Sequence, residues 1–419
     1  MSDLYPYVLP RRPVKIQATF DTFTYTLFLG KIEDVRPSGS LGNQTVTITA
    51  FDGLRDMNAY DVEIALLKAV TTDAAIDDIL DAVGWGAGGA YRALDTGSDT
   101  LAYWWCDEKA QHAIQELVLS EGGGFFISHD GRATFYSRDT MILGASVMAI
   151  DEDHITDIVV TQPWDLIRNA ITVRANPLAI AASGDIWTLQ DDAVEIAAGT
   201  SVTLWAKFAD ANGKLCAADN VISPAATTDY TANATQGGGG ADMTASLTVT
   251  PTVFSRSAKL VCANTHASTT LWITLLKIRG DAITPTPVEI KVEDSTSQTT
   301  YGKRTLDIDV EWQQSVLVAN DYAQSKLNFY MNPQKGCVIR LEGRPYELFN
   351  LDILDRIDFT SGLYTIDESM RIGAMRMDCA PTMQHISGEF TLESADNTTY
   401  WLLEVAGNSE LGVTTRLGY

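Results

Sequence analysis

Val14, Ile16, Ala18 and Phe20 alternate with Lys15, Gln17 and Thr19, the two-residue period of a half-buried strand. Leu27, Leu29 and the Gly30–Ile32 step extend that β character. Val46, Ile48 and Ala50 then alternate with Thr45, Thr47 and Thr49, whose β-branched side chains suit an outward strand face. From residue 56 the period lengthens. Ile76, Ile79, Leu80 and Val83 recur at helical spacing, with Thr72 placed as N-cap, Asp73 in the first turn and Gly84 as the stop. Ala110, Ile114, Leu117, Val118 and Glu121 predict a second helix, capped by Asp107 and ended by Gly122. Phe125–Ser128 and Ala133–Tyr136 flank Asp130-Gly131, which predicts a hairpin with a type I′ turn.

Residues 150–180 return to β through Ile155–Val160 and Ala170–Val173. Residues 185–283 are rich in Ala, Thr and Gly. They hold strand-like runs at Val194–Ile196, Val202–Phe208, Leu247–Val249, Lys259–Val261 and Leu271–Ile278. Turn signals at Ala211-Asn212-Gly213 and Gly237–Gly240 separate the runs, so a small inserted β-sandwich is expected. Val316, Ala319, Ala323, Leu327 and Tyr330 predict a long amphipathic helix that Pro333 ends. Residues 345–400 read as β again.

The first and last of these β segments echo each other. Val14 to Gly30 and Ile357 to Gly373 span the same length, and each is followed by a closing strand that ends near an acid, Asp52 or Asp396. Two diverged copies of one β-barrel unit are expected. Six such units in a trimer match a six-fold ring. The fold class is therefore mainly β with α+β. The expected domains are a first β-barrel over 1–55 with 150–180, a helix–hairpin α+β domain over 56–149, an inserted β-sandwich over 181–285, and a helix with a second β-barrel over 286–419.

A chain of 419 residues suggests roughly two to four domains. With 30 Lys and Arg against 54 Asp and Glu, the formal charge of −24 repels nucleic acid. It suits a passage through which DNA slides without sticking. The five cysteines, Cys106, Cys216, Cys262, Cys337 and Cys379, are scattered and show no zinc spacing. This argues for a reducing compartment without a disulfide framework. The first residues lack a signal-peptide pattern, and no run approaches the roughly 20 apolar residues of a membrane span. Synthesis in the cytoplasm and no membrane insertion are expected.

Candidate chemistry is thin. Glu108 and His112 share a helix face, but the zinc-protease pattern needs a second histidine. Gly84-Trp85-Gly86-Ala87-Gly88-Gly89 matches a dinucleotide fingerprint in spacing only. It closes a helix, whereas phosphate binding needs a helix that opens. His129-Asp130 lacks a nucleophile elbow, and Cys106 lacks an activating neighbour. No catalytic residue, cofactor or metal is expected. Carboxylates are numerous enough for a glycosidase pair, which leaves a cell-wall hydrolase as a distant alternative. Trp104 and Trp105, beside Tyr103, are candidate interface anchors or core. Trp187, Trp205, Tyr230 and Trp272 in the insert are candidate glycan-stacking residues or core.

The order of these pieces resembles the tail hub proteins of tailed bacteriophages, often labelled minor tail proteins, and through them the baseplate hub family. The carrying residues are LYPYVLPRRPVKIQATF, YTLFLGKIEDV and VTITAFDGL, then AIDDILDAVGW and LDTGSDTLAYWWCDEKAQHAIQELVLSEGGGFFISHDGRATFYSRD. RNAITVRAN, DSTSQTTYGKRTLDID and PYELFNLDILDRI follow. The resemblance spans nearly the whole chain. It implies a homotrimer with two tail-tube-like barrels per chain at the distal end of the tail tube. The expected partners are a distal tail ring above, a tip or fibre protein below, a tape-measure protein in the lumen and DNA in transit. Relatives commonly carry a strand-rich segment before YPYVLPRRPV, so the first barrel is expected to lack strands, which either a neighbour supplies by edge pairing or an upstream start codon or split gene encodes. Some hubs of this kind hold an iron–sulfur cluster on clustered cysteines, a feature that the isolated Cys337 and Cys379 do not carry over. The alternative role is a peripheral glycan-binding tail protein that uses the inserted sandwich.

Overall fold

The computed structural model describes residues 8–40, 43–190, 193–379, 386–395, 400–401 and 416–417. It is mainly β. Strands β1 (Pro13–Phe20), β2 (Phe23–Ser40) and β3 (Asn43–Phe51) form an antiparallel meander. The β1–β2 turn rests on Asp21 and Thr22, with φ of 47° and 71°, the two positive values of a type I′ turn. A bulge between Ile32 and Asp34 re-aims the middle strand. A Cβ on Gly30 would lie 2.1 Å from the carbonyl oxygen of Phe51, so only glycine fits at this crossing.

The next unit contains α1 (Gly53–Met57), β4 (Asp61–Thr71), α2 (Thr72–Ala82), β5 (Arg92–Leu94), β6 (Thr100–Lys109), α3 (Ala110–Glu121), β7 (Gly124–Ile127), β8 (Ala133–Tyr136) and α4 (Arg138–Leu143). Strands β4 and β6 pair antiparallel, and the order of the second small sheet is β5-β8-β7. Ile76, Ile79, Leu80, Ile114, Leu117, Trp104 and Phe135 fill the core between helices and strands. Three local expectations change. Tyr103–Lys109 is part of strand β6, so α3 starts after Lys109 and Asp107 caps nothing. Thr71, one residue earlier than expected, precedes α2. The loop from Ile127 to Ala133 is too long for a two-residue turn. Gly131 alone takes a positive φ, 86°, and its N–H donates to Ser128 O at 2.7 Å. The turn is therefore not type I′.

Strands β9 (Met148–Ile150), β10 (Asp157–Thr161), β11 (Ala170–Ala175) and β12 (Leu178–Ile180) lead into the insert. The insert contains β13 (Gly184–Thr188), β14 (Val194–Ile196), β15 (Ser201–Lys207), β16 (Ala217–Ile222), β17 (Tyr230–Asn233), β18 (Leu247–Val253), β19 (Ser257–Asn264) and β20 (Leu271–Pro285). One sheet is organised on the long β20, which pairs with β12, β13, β14, β16 and β17. The other has the order β15-β19-β18. Ile196, Phe208, Leu260, Cys262, Leu271 and Ile273 come from both sheets and share one core, so two sheets pack face to face.

The chain continues through β21 (Val288–Glu293), α5 (Ser295–Tyr301), β22 (Thr305–Val310), α6 (Val316–Tyr330), β23 (Gly336–Glu342), α7 (Pro345–Asn350), β24 (Arg356–Ser361), β25 (Ile366–Cys379) and β26 (Ile386–Ser394). Helix α6 lays Ala319, Tyr322, Ala323 and Leu327 on Ile171 and Val173 of the β21-β11-β22 sheet. The last large sheet has the order β10-β23-β26-β25-β24-β9. Its two edges, β9 and β10, are joined directly by residues 151–156. That link is not extended, since His154 N donates to Asp151 O at 3.1 Å, so it falls short of the roughly 24 Å across a flat six-stranded sheet, and the sheet must curl. Leu348 and Phe349 of α7 sit in its core.

The expectation of two closed barrels is corrected. Among the described residues every sheet is open, including the curled one, whose edges do not pair. The stretch 150–180 does not return to the first meander. Strands β9 and β10 join the curled sheet, and β11 joins β21 and β22. Alternation identifies strands but carries no information about long-range partners. The two echoed segments share a strand order. Strands β1-β2-β3 and β24-β25-β26 are both antiparallel meanders with a long middle strand, bulged at Ile32/Asp34 and Ile372/Ala374. Asp396 lies outside the described residues.

Candidate functional site

The first meander is tied to its surroundings at its β1–β2 end and, midway along β2, by the ion pairs of Lys31 with Asp56 and of Glu33 with Arg55. Ala18, Tyr25 and Leu27 pack on the core of the curled sheet, with the rings of Tyr25 and Phe349 5.2 Å apart. Past the bulge, Val35 pairs with Ile48 and Pro37 with Val46. Val46 and Ile48 are 56% and 46% exposed, and Ile16, Phe20 and Phe23 are exposed too. Water-facing apolar side chains in a row on a sheet mark an interaction surface.

Trp104 and Trp105 sit elsewhere. Trp104 is fully buried. Trp105 meets Trp312 edge-to-face with ring centroids 5.0 Å apart, and Trp104 is 6.3 Å from the same ring. The residues around Trp312 clasp the α+β unit. Gln314 Nε2 donates to Tyr103 O at 2.6 Å, Ala102 N donates to Gln314 Oε1 at 2.9 Å, and Gln313 Nε2 donates to Asp99 Oδ2 at 3.0 Å. Trp312 was not singled out from the sequence, because nothing local announces a partner some 200 positions away. Cys106, buried beside this cluster, has its thiol pushed up to about 11 by burial, which makes it a poor nucleophile.

Glu108 and His112 do meet, and Glu116 joins them one turn further on. The potential ligand atoms of the three lie within 4.8 Å of one another. His112 Nδ1 contacts Glu108, and its Nε2 is 3.7 Å from Glu116 Oε1. The hydrogen bond to Glu108 raises the His112 pKa. Burial, reinforced by the Glu108 charge, pushes Glu116 up to about 7. The imidazole thus sits between the two carboxylates.

The glycine-rich loop after α2 cannot cradle a phosphate. It turns carbonyls inward onto Arg92, whose side chain accepts no solvent to speak of at 5% exposure. That guanidinium donates to Gly86 O at 2.9 Å, Trp85 O at 2.6 Å and Asp81 Oδ1 at 2.7 Å. His129 is a tie between units. Its Nδ1 lies 2.8 Å from Asp352 Oδ2, and its backbone N–H donates to the same oxygen at 2.9 Å.

In the insert, Trp187 and Tyr230 pack against the sandwich core, and Trp272 is half-buried on β20. Trp205 differs. It is 60% exposed on the β15-β19-β18 sheet, with Phe254 stacked on it at 5.8 Å and 23°.

No protein-family model and no curated protein matches the chain. Among solved structures it is similar to the tail protein from Neisseria meningitidis MC58, at 10% identity and TM-score 0.49 over 88% of this chain and 80% of that one. It is also similar to the prophage MuSo2 43 kDa tail protein from Shewanella oneidensis, at 11% identity and TM-score 0.47 over 93% of this chain and 86% of that one. A third similarity is to a prophage tail protein from Listeria monocytogenes EGD-e, at 11% identity and TM-score 0.42 over 92% of this chain and 84% of that one.

Proposed function

We propose that this chain is a structural protein of a bacteriophage tail, a trimeric hub at the distal end of the tail tube. The observation that carries the reading is the contrast between the two meanders. The meander β24-β25-β26 is flanked by β23 and β10 on one side and β9 on the other, and α7 covers its core. Among the described residues the meander β1-β2-β3 has no strand beyond its own three and leaves Ile16, Phe23, Val46 and Ile48 exposed. Neighbouring subunits that cover this face remove the exposed apolar surface and its unpaired edges together. Two related meanders per chain and three chains give six similar units, the adaptation a three-fold tip needs beneath a six-fold ring.

In this reading the partners are further copies of the chain, a distal tail ring above, a tip or fibre protein below, the tape-measure protein within and DNA in transit. The charge of −24 keeps DNA from adhering to the passage. Sedimentation of the purified chain tests the assembly. A species of three times 45.6 kDa supports it, and Ile48→Asp then yields a folded monomer. A wild-type monomer at all accessible concentrations counts against it.

A further inference from the structure

The outer face of the β15-β19-β18 sheet is a surface the assembly reading does not use. Its register places Trp205 opposite Lys259, and Lys259 opposite Thr252. The next rows on that face are Thr203, Val261 and Thr250, then Ser201, Ala263 and Thr248. The opposite face of the sheet holds Ala206, Leu260, Cys262 and Val249 in the sandwich core. A flat field of hydroxyls and one lysine row therefore surrounds a single tryptophan that is 60% exposed. Phe254 stacks on the indole at 5.8 Å, and most of the indole still faces solvent.

The charge of this sheet departs from that of the chain. Segments 201–207 and 247–264 contain no Asp or Glu, although the whole chain has 54. They contain Lys207, Arg256 and Lys259, and none of the three makes an ion pair with a described residue. Lys207 and Lys259 on this sheet and Arg256 in its β18–β19 turn, in a protein with a net charge of −24, form a local anion-attracting field.

We propose that this face binds an anionic polysaccharide. One pyranose ring lies on the exposed indole of Trp205, and the polymer's acidic groups meet Lys207, Lys259 and Arg256. The threonine row on β18 supplies hydroxyls to the sugar hydroxyls. A sugar fits better than a protein partner. A standard protein interface needs about 800 Å² per side around a largely apolar core, and this face offers one large aromatic in a polar field. An amphipathic ring on an indole, oriented by a few polar groups, suits a sugar site. The inference rests on the insert alone and stands apart from the trimer.

The test uses the full-length chain and four immobilised polymers. Polygalacturonate supplies carboxylated pyranose, phosphomannan supplies sugar phosphate, dextran is a neutral pyranose polymer, and polyglutamate is an anion without a sugar ring. Binding is expected to polygalacturonate or to phosphomannan, and the stronger of the two identifies the acid group. Dextran and polyglutamate are expected to bind at least about tenfold more weakly. Trp205→Ala should cut affinity about tenfold, and Trp205→Phe should restore part of it. Lys207→Gln combined with Lys259→Gln should flatten the salt dependence. An unchanged thermal midpoint shows that the exposed substitution leaves the fold intact. Binding to neither acidic polysaccharide overturns the proposal. So does binding that Trp205→Ala leaves unchanged, or equal binding to dextran or polyglutamate.

Discussion

The indole of Trp312 stands at 85° to that of Trp105, with centroids 5.0 Å apart, across a join between segments about 200 residues distant in the chain. Trp312 is buried, yet its Nε1 has no hydrogen-bond partner among the described residues. Trp312→Ala should therefore cost about 3–5 kcal/mol, the usual loss for a large buried aromatic. Trp312→Phe should cost much less, because it also removes an orphaned donor. Denaturant midpoints of the two variants check this. Similar losses for both would mean that the indole N–H is satisfied in solution.

The tie between His129 and Asp352 should be pH-dependent. Its hydrogen bond to Asp352 raises the His129 pKa above the ordinary 6.5. A raised folded-state value means that the contribution is complete below about pH 6.5 and fades as pH climbs through the folded value. Hydrogen exchange of the 127–133 loop, compared at pH 6 and at a pH above the folded value, should be faster at the higher pH after correction for intrinsic rates. His129→Gln should abolish that dependence. A loop equally protected at both pH values in the wild type would contradict it.

Glu116 should titrate near neutrality. Burial first, then the charge of Glu108, holds its pKa near 7. The folded state therefore keeps a proton that the unfolded chain releases near pH 4.5, so this site loses stability as pH rises between those values. Glu108→Gln should lower the Glu116 midpoint, read by carboxyl-carbon NMR. An unchanged midpoint would assign the shift to burial alone.

Gly30→Ala should disrupt the first meander selectively. The new Cβ would lie 2.1 Å from a backbone oxygen of β3, which cannot step aside without parting the strands. Limited proteolysis should then cut near residues 13–51 while the remaining units stay resistant. Cleavage spread evenly over the chain would show that the meander is not an independent element.

Sequence pattern located α2, α3, α6, the β7–β8 hairpin and most strands of the insert, because each carries an uninterrupted period. It missed β4, where the bulge between Ile64 and Leu67 shifts the alternation to the other face. Strand β6 was hidden by its aromatic run into a helix. Pairing was the larger gap. Nothing local in residues 148–161 shows that β9 and β10 form the two edges of one sheet around β23–β26. Of the five tryptophans singled out, Trp205 alone is largely exposed, and Trp104 is core. Composition cannot separate those two fates; the register of neighbouring strands does. The unpaired lysines beside Trp205 became legible only once β15 and β19 were paired.

Electron microscopy of the purified chain tests the central claim most directly. The account predicts a three-fold particle with six similar β units around a central passage, and separated single chains for Ile48→Asp. A wild-type particle without three-fold symmetry, or a three-fold particle in which the β1–β3 face stands free of every neighbour, would contradict it.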